Sequence, residues 1–444
     1  MPGSTSDFGV RFETVGLVAC DPDRAAVYEH GWQSWSPAGL YPATGTSPRP
    51  RKPGAETSGF RPGRPQPQRG FQGEGLLAVV PEDGPVRLWS APDPWSEVAS
   101  VRAQPVDAGV LVSADGPVVE STAADLDRAL VAVAQRLAGA AGVGPVEALG
   151  PGWCSWYSYW TKVTAEDVLA NLAAMDRRAL PVQVVQVDDG HQGAIGDWLR
   201  RAPGFGALDD LAARIRDGGR RAGIWTAPFL VAPDSELALA HPDWLVADVV
   251  ALHSWGSGQR VLDVTVPAAA EHLSQVYRSL AADGFDYHKI DFLYAGAMEG
   301  RRAADCTGLE SYLLGLRLIR DAVGPHATVL GCGAPLLPSI GHVDAMRVGP
   351  DIDPAYEPTD GDLSQPGQRS AVAATLARRW MHGRLWVNDP DCILLRPEVE
   401  EREQWAAHLD ATGGLMVSSD PLDALDERGL ELTRRLLRPS SVLP

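Results

Sequence analysis

Lys289 and Asp291 stand two residues apart in the strand-like run Phe285–Phe292, in a chain with three lysines among 39 basic residues. Alternation along a strand puts both side chains on one face, and an ammonium beside a carboxylate favours the ionised acid. Such a pair is a structural ion pair in many folds and a reactive one in some. Further acids follow other short apolar runs: Asp188-Asp189 with His191, Asp197 with Trp198, Arg347 with Asp351 and Asp353, and Asp389 with Asp391. Trp156, Trp198 and Trp225 end or follow similar runs. Indole faces stack on the C–H faces of sugar rings, and carboxylates accept from hydroxyls, so the set points to a carbohydrate. A lone Asp after a strand usually caps a helix or closes an Asx turn, and a lone Trp is usually core. Four acidic strand ends on one rim exceed what capping alone requires.

Two carboxylates facing a sugar can cleave a glycosidic bond. One attacks the anomeric carbon; the other gives a proton to the leaving oxygen and then takes one from water. Asp291, beside Lys289, suits the nucleophile. Asp351, near Asp353 and the acids at 389 and 391, suits the proton donor, because neighbouring negative charge raises its pKa. Arg347 would orient substrate or these neighbours. Asp188, Asp189 and His191 are the residues that would bind a metal, but no His-x-His or His-Glu-x-x-His accompanies them. There is no Gly-x-Ser-x-Gly elbow and no P-loop. Neither a metal nor an organic cofactor is expected.

Eight short apolar runs would position these residues: Leu149–Trp156, Val182–Val187, Gly223–Ala227, Tyr287–Phe292, Ala327–Gly331, Asp344–Val348, Leu385–Asn388 and Gly414–Ser418. Amphipathic helices separate several of them, one opened by Thr164 with a stripe at Val168, Leu172 and Met175. Strand–helix alternation predicts an α/β fold, a (β/α)8 TIM barrel over residues 147–420 whose site lies at the C-terminal strand ends. An open doubly wound sheet is the alternative, and it lacks a Gly-x-Gly-x-x-Gly after the first strand. Extra elements are expected around Asp243–Val266, and the link between the fifth and sixth strands is too short for a full helix. Residues 1–140 read as a mostly β N-terminal domain containing a long Pro/Gly/Arg-rich loop at about 42–72, and 421–444 as a short tail.

The chain of 444 residues is 45% hydrophobic with a net charge of −18, which suits a folded protein and neither nucleic acid nor an anionic membrane as partner. Five scattered cysteines without a CxxC suit free thiols. Met1–Phe8 lacks the basic start and apolar core of a signal peptide, so a cytoplasmic location is expected. A homo-oligomer is left open.

The motifs Gly-Trp-Cys-Ser-Trp at 152–156, Asp-Asp-Gly at 188–190, Gly-Asp-Trp at 196–198, Lys-Ile-Asp at 289–291, Arg-Val-Gly-Pro-Asp at 347–351 and Asn-Asp-Pro-Asp at 388–391 occur in that order. The set resembles glycoside hydrolase family 36, the melibiase-type retaining α-galactosidases, over about residues 147–420. The resemblance implies Asp291 as nucleophile and Asp351 as acid/base. It implies Asp188 and Asp189 as acceptors for the 4- and 6-hydroxyls of galactose, Trp156 as the platform under the sugar, and Lys289, Cys332 and Arg347 in the same subsite. Trp198, Trp225 and Asp353 join the substrate-binding set from their strand ends. The chain departs from the family in carrying Ile290 between Lys and nucleophile, His191 after Asp-Asp-Gly, and Gly-Pro before Asp351. The reaction implied is hydrolysis of terminal α-galactosides. Galactosyl transfer by the same site, and a sugar-binding barrel without catalysis, are the alternatives. His30–Trp35 is expected to pack the N-terminal region against the barrel rather than to reach the site mouth.

Overall fold

The computed structural model describes residues 10–48, 60–64 and 67–438. Residues 1–9, most of the Pro/Gly/Arg-rich stretch (49–59 and 65–66) and 439–444 of the expected tail lie outside the described residues.

Eight parallel strands form one sheet: β1 (Gly152–Cys154), β2 (Val184–Val187), β3 (Arg221–Thr226), β4 (Phe285–Ile290), β5 (Thr328–Gly331), β6 (Ala345–Arg347), β7 (Val387–Asp389) and β8 (Val417–Ser418). Each of β1 to β6 pairs with its successor, and β8 pairs with β1, which leaves β7 and β8 unpaired with each other. The remaining gap is bridged where Leu415 N donates to Asn388 O at 2.8 Å, so the sheet closes into a (β/α)8 barrel. Every expected run overlaps its strand, with shifted ends. The shift matters at β4, which ends at Ile290. Asp291 and Phe292 therefore belong to the rim, not to the strand.

Local sequence explains the connecting helices. Thr164 and Asp167 form a reciprocal capping box before Ala165–Arg177, which buries Val168, Leu172 and Met175. Thr307 and Glu310 do the same before Gly308–Val323. Between β5 and β6 only the 3-10 turn Leu337–Ser339 intervenes, as the short link required. The insertion after β3 is an antiparallel hairpin, Leu245–Ser254 with Ser257–Leu262, joined by Leu230–Val231.

The N-terminal region carries two antiparallel sheets of four and five strands. In the strand Leu76–Val80, Leu77 and Val79 enter a core shared with Phe71, Val101 and Val112 of the other sheet, while Leu76 and Ala78 enter the large core that includes the barrel. A strand buried on both faces reads as a continuous apolar run. Helix Leu126–Ala141 lays Leu130, Val133 and Leu137 into that large core.

Candidate active site

The C-terminal ends of β2 and β4 meet around Lys289. Its ammonium lies 3.1 Å from Asp188 Oδ2 and 3.9 Å from Asp291 Oδ2. The nearer partner is Asp188, so the sequence pairing of Lys289 with Asp291 is the longer of two contacts. Burial works against the charge on Lys289, but the two carboxylates outweigh it and hold its pKa well above the ordinary lysine value. Asp188 Oδ2 also accepts from Gln186 Nε2 at 2.6 Å and Cys154 Sγ at 3.3 Å, and its Oδ1 accepts from Asp189 N at 2.9 Å.

Asp291 Oδ2 accepts from Trp225 Nε1 at 3.0 Å and Oδ1 from Phe292 N at 2.7 Å. Trp225 is itself buttressed by the edge of Trp198, ring centroids 5.7 Å apart. Asp189 Oδ1 accepts from Gln192 Nε2 at 2.6 Å and Oδ2 from Trp255 Nε1 at 2.9 Å. Burial raises the Asp189 pKa to about 6 despite those two donors. Trp255 sits at the tip of the inserted hairpin, so this element reaches back over β2.

Across the rim, Arg347 is 2% exposed and holds three acids. Nη1 lies 2.9 Å from Asp351 Oδ1, Nη2 2.6 Å from Asp391 Oδ1, and Nε 3.4 Å from Asp389 Oδ2. Asp391 Oδ2 accepts from Tyr157 Oη at 2.5 Å and Ile352 N at 2.7 Å. The Asp351 side chain keeps 35% of its surface open although it lies deep among protein atoms. Burial raises its pKa to about 6. Arg347 pulls it down, and the charges of Asp391 and Asp291 push it up again. The charge of Asp291 thus reaches Asp351. Cys332, at the end of β5, stands in the field of Asp291, Arg347, Lys289 and Asp351. Burial and the two acids keep its thiol neutral.

Two sequence expectations are corrected. Asp353 is not among the groups that dominate the Asp351 pKa; its Oδ1 accepts from Ala355 N at 2.8 Å, an Asx-turn contact. His30–Trp35 packs as expected, but it also reaches the site. Ser34 exchanges hydrogen bonds with Ala334, and Leu336 N donates to Trp32 O at 3.0 Å. This seats the Trp35 ring edge-on to Phe292, 5.1 Å away, one residue from Asp291. Gly333, with φ 53°, is required there: a Cβ would come within 2.8 Å of Trp35. Asp197 caps the helix Glu236–Ala240 through the N–H groups of Glu236 and Leu237. His191 donates through Nε2 to Trp225 O at 2.8 Å. Half-buried Trp156 packs against Trp160, centroids 4.8 Å apart.

Sequence reasoning missed Tyr157, Gln186, Gln192, Trp255 and Phe292. Of eight non-glycine residues with positive φ among those described, four stand at this rim: Trp160, Trp255, Phe292 and Asp391. Strained backbone of this kind collects at functional sites, but it leaves no mark in the sequence.

A closed barrel with carboxylates, an ammonium, a guanidinium and indoles gathered on its C-terminal rim fits the class of glycoside hydrolases in architecture and site. The melibiase family model matches residues 155–321. The α-galactosidase TtGalA of Thermus thermophilus, solved in complex with stachyose, is 30% identical, with a TM-score of 0.79 and an alignment covering 97% of each chain. An α-galactosidase of Escherichia coli is 30% identical over 168 residues, 35% of this chain and 23% of that protein. The chain therefore aligns with about a quarter of the length of such curated relatives. The family 36 α-galactosidase AgaA of Geobacillus stearothermophilus shares the fold at 16% identity, with a TM-score of 0.62 over 61% of its length. The chain belongs to the melibiase-type α-galactosidases of glycoside hydrolase family 36.

Among the described residues, no helix is long and apolar enough to cross a membrane.

Proposed function

We propose that the chain is a retaining α-galactosidase that removes terminal α-galactosyl residues from oligosaccharides. The observation that carries the reading is a pair of acids on one rim whose charges interact, Asp351 and Asp291. Asp351 has its pKa raised to about 6, so about a tenth is protonated at pH 7, far more than for an ordinary aspartate, as a general acid requires. Asp291 is oriented by an indole N–H, a backbone N–H and the Lys289 ammonium, which suits an anionic nucleophile.

In the first step Asp291 attacks the anomeric carbon and the bond to the leaving oxygen breaks, while Asp351 supplies that oxygen with a proton. In the second step Asp351, now a base, takes a proton from water, which displaces Asp291 and releases the sugar with its original configuration. Asp188 and Asp189 accept from the 4- and 6-hydroxyls, and Lys289 ties Asp188 to the reacting side. Trp156 supports the ring. Trp35 Nε1, buried without a hydrogen-bond partner among the described residues, is a donor left for a sugar hydroxyl.

Asp291→Ala tests this. Turnover of nitrophenyl α-galactoside falls by about 10⁴-fold or more, and azide restores it with a product of inverted anomeric configuration. Activity within a few-fold of the parent would remove Asp291 from the mechanism.

A further inference from the structure

Trp160 is the only aromatic residue among the exposed large hydrophobics of the described chain, with 47% of its surface open. It directly follows the helical turn Trp156–Tyr159 that leaves β1, so it stands on the C-terminal rim. Its backbone adopts φ 52° and ψ −148°, a region close to glycine-only territory that other residues occupy at a cost, and such conformations concentrate at ligand clamps. Its ring is held by Trp156 at 4.8 Å and Tyr157 at 5.5 Å, both edge-on. A large apolar ring is thus fixed on the surface in a strained conformation, which neither burial nor local propensity explains.

Its place relative to the two acids is legible through Tyr157. That phenol donates to Asp391 Oδ2 at 2.5 Å, and its environment includes the charge of Asp351. Trp160 therefore stands on the side of the acid/base. The general acid protonates the leaving oxygen, so its side of the rim is where the leaving sugar lies.

We propose that Trp160 is the platform of a second-sugar subsite. The apolar C–H face of a neutral pyranose, the leaving group of an α-galactosyl oligosaccharide, stacks on its exposed indole. The inference rests on the α-galactosidase reading above and extends it from the bond cleaved to the group released.

The test compares kcat/KM for α-galactosyl fluoride, whose leaving group has no ring, with kcat/KM for an α-galactosyl-glucose disaccharide. The parent, Trp160→Gly and Trp160→Phe are measured in parallel. Glycine removes the platform and relieves the backbone, so the variant keeps its fold. The disaccharide-to-fluoride ratio is expected to fall about tenfold in Trp160→Gly, mainly through KM, a factor equal to about 1.4 kcal/mol. Trp160→Phe recovers part of the loss. An unchanged ratio, including one in which both substrates slow equally, overturns the subsite. A parent that cleaves neither substrate overturns the α-galactosidase reading itself, which is a distinguishable result.

Discussion

On the β2–β4 side of the rim, Lys289 approaches two acids at 3.1 and 3.9 Å; on the β6–β7 side, Arg347 reaches three at 2.6, 2.9 and 3.4 Å. The cations differ in what they can fix. An ammonium is a compact point charge, whereas a guanidinium is a planar fork that sets direction as well as charge. The proposed nucleophile, next to the ammonium, therefore takes its orientation from other donors. Trp225 comes from β3, and Phe292 is braced by Trp35 from the N-terminal region and Trp255 from the inserted hairpin, with centroids 5.1 and 5.3 Å from its ring. The proposed acid/base sits in a nearly self-contained knot of Arg347, Asp351, Asp389 and Asp391, joined by Tyr157. One half is assembled from distant segments. The other is fixed by one fork and two adjacent loops.

The largest effect should come from breaking the fork. Arg347→Met leaves Asp389 and Asp391 buried without their cation, and uncompensated buried charge of this kind costs roughly 3–5 kcal/mol. Lys289→Met strands Asp188 and Asp291, but Lys289 serves two acids rather than three and its second contact is 3.9 Å long, so its loss should be visibly smaller. Denaturant unfolding of the two variants side by side checks the order. Equal losses, or a larger loss for Lys289→Met, would break the contrast between the halves.

The same difference decides what could be read without coordinates. Within each of the Arg347–Asp351 and Asn388–Asp391 motifs the charged residues lie a few positions apart along the chain, and strand-end logic found all of their acids. The eight strands were legible because each is a short apolar run, several of them set off by helices with their own caps, Thr164 being the clearest. Trp255 was hidden because nothing in residues 245–262 says that a hairpin folds back over β2. Trp35 was assigned to packing, which is correct but incomplete: packing Ser34 on Ala334 is what brings the ring to Phe292. The Asx-turn contact of Asp353 with Ala355 N was not legible from its place beside Asp351.

The pH dependence gives an intermediate effect. With its pKa raised to about 6, Asp351 stays protonated to higher pH than an ordinary aspartate and loses the proton as pH climbs past that value. The first chemical step needs the protonated form, so kcat/KM for a sugar-leaving substrate should fall about tenfold per pH unit on the basic side. Arg347 lowers this pKa, so Arg347→Lys, which shortens and loosens the cation, should move the basic limb to higher pH. A limb that stays fixed, or moves to lower pH, would mean that Arg347 does not govern Asp351. The equivalent exchange on the other side, Lys289→Arg, should leave the basic limb in place.

The smallest effect sharpens the contrast most closely. Trp255→Phe keeps a ring against Phe292 and removes only the N–H that Asp189 Oδ2 accepts at 2.9 Å. One hydrogen bond of about 1 kcal/mol corresponds to a loss of about fivefold, expected in KM for an α-galactoside at neutral pH with kcat nearly constant. That donor also lowers the Asp189 pKa. Its removal should therefore raise the pKa above about 6, and the KM penalty should grow as pH falls, because a protonated Asp189 accepts poorly from a sugar hydroxyl. If kcat falls instead while KM holds, the hairpin acts through Phe292 on Asp291, and the borrowed parts of this half serve the nucleophile rather than the galactose hydroxyls.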